Sequence, residues 1–178
     1  MSTSRTGVSM YILAIIAFIV VVALLFAEQI EKQRNPNRNV ALKKAPDGAI
    51  EVVLRRNPQG HYIANGFING HQAELVLDTG ATDVAVSSAL AKKASLTPHR
   101  EINVNTANGR AVAYATTIDE IRIGGILEQN ISATIVPHMA GIDVLLGMSF
   151  LKNLDFAQEG NVLRLTSRRQ MMQGHQEN

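Results

Sequence analysis

The stretch Leu75-Val76-Leu77-Asp78-Thr79-Gly80-Ala81-Thr82, LVLDTGAT, sets a carboxylate at the end of an apolar run and follows it with glycine. Apolar surroundings raise the free energy of an ionised carboxylate, so Asp78 needs a reason to be there. Leu75 to Leu77 read as a strand end. Gly80 admits backbone torsions that a Cβ forbids, so Thr79-Gly80 can turn the chain sharply away. Thr79 offers a short hydroxyl to nearby backbone, and Ala81 leaves the turn uncrowded. The expected product is a rigidly held, partly desolvated carboxylate. By themselves these eight residues fit a tight turn that closes a strand, or one half of a catalytic carboxylate pair.

On the N-terminal side, AIEVVLRR (49–56) and GHYIANGFING (60–70) alternate in part, and HQAELVLD (71–78) follows directly. Asn69-Gly70 between two such runs predicts a hairpin, because both residues tolerate positive φ. Gly66 inside the preceding strand marks a bulge or a close backbone contact. On the C-terminal side, Ser87 to Leu96 reads as a short helix with Ser87 or Ser88 as N-cap. A second hairpin is expected around Asn108-Gly109, with arms light in bulky apolar residues. NISATIVP (130–137) and IDVLLG (142–147) are further strands, MSFLKNL (148–154) suggests a brief helix, and a last hairpin closes around Glu159-Gly160. Many short strands with one or two small helices predict a mainly β domain over residues 49–168, followed by a polar tail at 169–178. About 120 residues are ample for one core.

Composition narrows the functional classes. The 178 residues carry a net charge of only +2, aromatics make up 4%, and no basic block is interleaved with aromatics, which gives nucleic acid no footprint. Cysteine is absent, which removes disulfides, thiolate nucleophiles and Cys-ligated metals. His61, His71, His99, His138 and His175 are scattered without an HExxH or an i,i+4 pair, so no metal site is expected. No phosphate-binding glycine motif and no GxSxG elbow occurs.

Met10 to Ala27, MYILAIIAFIVVVALLFA, holds no charge. As a helix it would be about 27 Å long at ~1.5 Å per residue, close to the ~30 Å hydrocarbon core of a bilayer. It is longer than the ~7–15 apolar residues of a cleaved signal, and Leu25 stands where an A-x-A cleavage site wants a small residue. The expectation is an uncleaved anchor at 10–27 behind a tail at 1–9, with a solvated tether at 28–48. Lys32, Arg34, Arg38, Lys43 and Lys44 follow the span, whereas Arg5 alone precedes it. Taken literally, that asymmetry keeps the C-terminal part in the cytoplasm. The short N-terminal anchor with one basic residue ahead of it favours the opposite: a single pass of a bacterial inner membrane with the domain in the periplasm.

Taken in order, G-x-I-N-G, then LVLDTGAT, then a glycine-tipped hairpin, then DVLLGMSFL resemble the retropepsin-like aspartic proteases over roughly Ile50 to Thr166. TANG (106–109) and LLGMSFL (145–151) are similar to the bacterial membrane-anchored branch. The resemblance implies a retropepsin-like half-barrel closed by homodimerisation, preceded by one transmembrane helix. It makes Asp78 the catalytic residue within the Asp78-Thr79-Gly80 loop. It makes the hairpin through Ala107, Asn108, Gly109 and Arg110 a flap that binds substrate together with Ala81. Leu145-Leu146-Gly147 becomes the strand that threads beneath the loop and supports it. Viral members carry Gly-Arg after the apolar pair, whereas Gly147 is followed by Met148-Ser149, so an Arg–Asp bridge there is absent or replaced.

This chemistry needs two carboxylates sharing one proton, and the chain has a single Asp-Thr-Gly. A two-lobed enzyme is excluded by that arithmetic. A homodimer supplies the second Asp78. The expected function is a membrane-anchored aspartic endopeptidase acting on peptide or protein substrates without metal or organic cofactor. The alternative is a non-catalytic, or only self-cleaving, membrane-tethered dimerisation or peptide-binding module of the same fold.

Overall fold

The computed structural model describes residues 3–45, 48–106, 109–137, 139 and 141–167. They form two units, residues 1–34 and 35–178. The first is one helix, α1 (Thr3–Arg34), which the uninterrupted apolar run and the absence of proline favour. It is long and apolar enough to cross a membrane. Its last turns carry the exposed i,i+4 pair Glu28–Lys32 and the i,i+3 pair Glu31–Arg34. Lys32 and Arg34 also suit the negative end of the helix dipole.

In the second unit a small antiparallel sheet of β1 (Lys43–Lys44), β2 (Ile50–Arg55), β11 (Val162–Ser167) and β10 (Leu154–Glu159) packs on a larger one. The larger sheet runs in the order β3 (Tyr62–Ile68), β4 (His71–Leu77), β9 (Val144–Leu146), β5 (Val84–Ser87), β8 (Ile126–Val136), β7 (Gly109–Ile123) and β6 (Arg100–Thr106). Phe67 and Ile68 of β3 pair with Arg122 and Ile121 of β7, so six strands close into a ring inside one chain and β6 stands outside it. The chain is therefore mainly β, as its sequence leads one to expect. Val52 and Leu54 of β2 and Leu165 of β11 are buried in the same core as Ile118, Ile121, Ile123 and Ile126. At ~25 cal/mol per Å², burying such aliphatics supplies the main driving force of the fold.

The turn chemistry follows the sequence. Asn69 and Gly70 have φ of 47° and 79°, and His71 pairs with Ile68, which makes a two-residue hairpin turn. β3 runs through Gly66 in unbroken register. A Cβ there would strike the Leu75 side chain and approach the Arg122 carbonyl to 2.5 Å, so close contact, rather than a bulge, explains the glycine. Ser87 caps α2 (Ser88–Lys93), its hydroxyl accepting from Leu90 N at 3.3 Å. At the other two expected hairpins Thr106 pairs with Gly109 and Glu159 with Val162, one residue away from the turns expected at 108–109 and 159–160, and a further hairpin joins β7 to β8 where Ile123 pairs with Ile126. Ala107 and Asn108, and the polar tail 169–178, lie outside the described residues.

The described residues of the stretch 28–48 differ from a solvated tether. α1 continues to Arg34, Asn35 and Asn37 are buried, and β1 joins the small sheet. The Asn37 side chain donates to the Arg55 carbonyl (2.9 Å) and the Ile63 carbonyl (2.7 Å) and accepts from Arg55 N (2.7 Å). Asn35 donates to Asn65 Oδ1 and accepts from Asn37 N. A polar segment without apolar periodicity thus docks through its side-chain amides, which satisfy backbone groups that burial would otherwise orphan.

Candidate active site

The strand order creates the site. β4 and β5 are joined by residues 78–83, yet β9 lies between them, parallel to β4 and antiparallel to β5. The connection must cross the end of β9. Asp78 N donates to the Leu146 carbonyl (3.0 Å) and Gly80 N to Asp78 Oδ1 (2.9 Å). Ala81 N closes the turn on the Asp78 carbonyl (3.2 Å). On the far side, Met148 N and Ser149 N donate to the carbonyls of Ala81 (2.8 Å) and Thr82 (2.9 Å). These are first-turn amides of α3 (Met148–Leu151), whose N-cap Gly147 offers no side-chain cap, so the crossing loop itself caps the helix.

Gly147 is buried where the strand passes beneath the loop. An added Cβ would collide with the Asp83 carbonyl oxygen and lie 2.7 Å from that of Ala81. Leu146 pairs with Leu77 and is buried, while half-buried Leu145 sits one register back between Val76 and Ala85. The structure therefore brings Asp78, Thr79, Gly80 and Ala81 together with Leu146 and Gly147. Gly109 and Arg110 lie at the start of β7, paired with Thr106 and Asn105, on the hairpin rather than on the loop.

Two expectations need correction. Asp78 is exposed in the single chain rather than partly desolvated. The apolar run ends at Leu77, the last buried residue of β4, and the loop then climbs off the sheet. Thr79 is also exposed, and among the described residues its hydroxyl bonds to nothing in the chain. Nor does any lysine or arginine there pair with Asp78. Met148 follows Gly147 where viral members carry arginine, and the hydroxyl of the next residue, Ser149, accepts from Val84 N and donates to the Ser132 carbonyl, both at 2.9 Å. The sequence offered only serine in the first turn of a short helix as a signal for it.

Among the described residues no group of three His, Asp or Glu side chains could hold a metal ion. A shallow cavity of about 440 Å³ lies between residues 38–41 and Phe67 of β3, and no residue of the 78–83 loop lines it.

Residues 64–153, from β3 through α3, match the family described as "gag-polyprotein putative aspartyl protease". This chain belongs to the retropepsin-like aspartic protease family. A retropepsin-like aspartic protease from Rickettsia conorii has a similar structure, with a TM-score of 0.56 and 25% identity, covering 72% of this chain and 94% of that one. An uncharacterised Sinorhizobium protein from the cobV 5′ region is 37% identical over 115 residues, 63% of this chain and 49% of its own length. The uncharacterised protein RP867 of Rickettsia prowazekii is 28% identical over 106 residues, 57% of this chain and 45% of its own. The retropepsin-like chain thus spans about half the length of the curated relatives it matches.

Proposed function

We propose that this chain is a membrane-anchored aspartic endopeptidase in which two copies each contribute Asp78. The observation that carries the reading is the loop itself. A carboxylate with one oxygen held by Gly80 N stands on a loop fastened at both ends by backbone hydrogen bonds, facing outward where a second copy can meet it. Across an isologous two-fold axis the second loop brings its own Asp78, and each covers the other from water. The free hydroxyl of Thr79 is placed to bond across that axis, as the family resemblance implies.

Two carboxylates about 3 Å apart cannot both ionise, so the pair holds one proton. The ionised member takes a proton from a water as that water's oxygen attacks the scissile carbonyl carbon. The protonated member donates a hydrogen bond to the carbonyl oxygen, and then its proton, giving a tetrahedral diol. Collapse of the diol breaks the C–N bond. The amine leaves with a proton from the dyad, and the other carboxylate recovers one from the diol hydroxyl. The hairpin of β6 and β7, with Gly109 and Arg110 at the start of β7, clamps an extended peptide through strand-like pairing, with Ala81 beside the substrate. α1 spans the bilayer through residues 10–27, and the domain lies on the periplasmic side of a bacterial inner membrane.

The test is Asp78→Asn, which keeps the shape and cannot share the proton. Peptide cleavage should fall by roughly 10⁴-fold, the scale on which one member of a cooperating catalytic set counts. A tenfold excess of the variant should also poison the parent by about tenfold as subunits exchange. A variant that cleaves as well as the parent sinks the enzyme reading. A parent indifferent to the excess sinks the shared dyad.

A further inference from the structure

We propose that Ser149 is a positioning residue for the Asp78 loop, holding it through Val84 and Ser132 at the place where two such loops can share a proton. The catalytic consequence rests on the protease reading above; the fastening itself does not. One buried hydroxyl uses both its capacities, accepting from Val84 N and donating to the Ser132 carbonyl. Its backbone N–H meanwhile donates to the Thr82 carbonyl. A single residue thus ties the end of the loop, the first residue of β5 and the wall formed by β8. Val84 is wholly buried, and the ladder of β5 with β9 begins only at Ala85 and Leu145, so its N–H finds its partner in a side chain. The other bonds fastening the loop to the β9–α3 segment are backbone to backbone. Among the described residues Ser149 supplies the one side chain, and hence the point where substitution can loosen the loop without altering the chain path.

The two-fold axis amplifies the effect. A shift of each loop by about 0.5 Å changes the carboxylate separation by up to about 1 Å, a misplacement that can cost on the order of 10² in rate. As the carboxylates part, their coupling weakens and the two apparent titrations of the dyad move together. Loosening should therefore lower turnover and narrow the pH profile, while peptide binding by the flap changes little.

The experiment compares Ser149→Ala and Ser149→Thr in the full chain in detergent micelles. For Ser149→Ala, kcat should fall about 10- to 100-fold with KM within about threefold, and the bell-shaped profile should narrow. Amide exchange at residues 79–84 should speed at least about tenfold while that of Ile118–Ile123 in the barrel holds, because only the local opening changes. Ser149→Thr, which keeps the hydroxyl, should restore most of each. Parent-like kcat and profile width in Ser149→Ala would overturn the assignment. So would equal losses in both variants, or exchange rising across the whole barrel, which would mark a residue needed only for folding. If the parent cleaves no peptide, the protease reading fails, and exchange at residues 79–84 still decides whether Ser149 fastens the loop.

Discussion

Replacing Gly147 with alanine tests whether the crossing of β9 beneath the Asp78 loop is the structural heart of the site. Gly147 has φ −91° and ψ −169°, a backbone that any L-residue adopts, so the substitution carries no torsional strain. Its cost is steric. The new Cβ would lie 2.7 Å from the Ala81 carbonyl oxygen, closer still to that of Asp83, and ordinary contact begins near 3.4 Å. The strand and the loop must part by at least about 0.7 Å at Ala81, and by more at Asp83. Both obstacles are backbone and cannot swing away. That shift would lengthen the bonds Asp78 N to Leu146 O (3.0 Å), Met148 N to Ala81 O (2.8 Å) and Ser149 N to Thr82 O (2.9 Å) beyond useful range. Two or three hydrogen bonds at ~1 kcal/mol each, within an overpacking range of ~1–3 kcal/mol, put the loss near 3 kcal/mol. For a domain of this size that lowers Tm by about 10 °C. Circular dichroism melts of the full chain in detergent would measure it, with Gly60→Ala as the contrast. Gly60 has φ +90° in open space, so alanine there costs only about 1–2 kcal/mol of backbone strain and leaves the loop alone. A Gly147→Ala protein that melts within about 2 °C of the parent would refute the argument that this glycine lets the strand pass.

Asn37→Ala removes two donors and an acceptor that serve buried backbone at Arg55 and Ile63, and should cost about 2–4 kcal/mol in urea unfolding. Exposed Asn39→Ala should cost less than about 0.5, and equal effects would mean that the 35–40 segment is not docked. β10 is the longer of the two edge strands of the small sheet, with Phe156 43% exposed; if a second copy pairs there, Phe156→Lys should weaken dimerisation at least about tenfold in sedimentation, and an unchanged dimer would place the interface elsewhere. Peptide cleavage by a one-proton dyad should follow a bell-shaped pH profile with its maximum below neutrality, so a rate still climbing above about pH 8 would count against it.

Most of the site was legible because its parts are local. Asp78-Thr79-Gly80 announces a carboxylate on a turn, Asn69-Gly70 a two-residue hairpin, and Ser87 a helix cap, each decided by the torsions and hydrogen bonds of a few neighbours. Leu145-Leu146-Gly147 announced an apolar strand closed by glycine. The sequence alone also determined that the chain carries a single Asp-Thr-Gly, so the proposed dyad needs a second copy. What it left open depends on residues far apart along the chain. Nothing within the stretch 142–147 says that β9 inserts between β4 and β5, and only that insertion sets Gly147 against the carbonyls of Ala81 and Asp83. Composition cannot distinguish a polar side chain in water from one that completes a buried backbone, so Asn35 and Asn37 read as solvated, and nothing local marks Ser149 as buried. Their partners, at Asn65, Arg55, Ile63, Val84 and Ser132, become neighbours only in the folded chain. The exposure of Asp78 was likewise a tertiary outcome, because an apolar strand end fixes what lies behind a carboxylate, and the sheet edge fixes what lies in front of it.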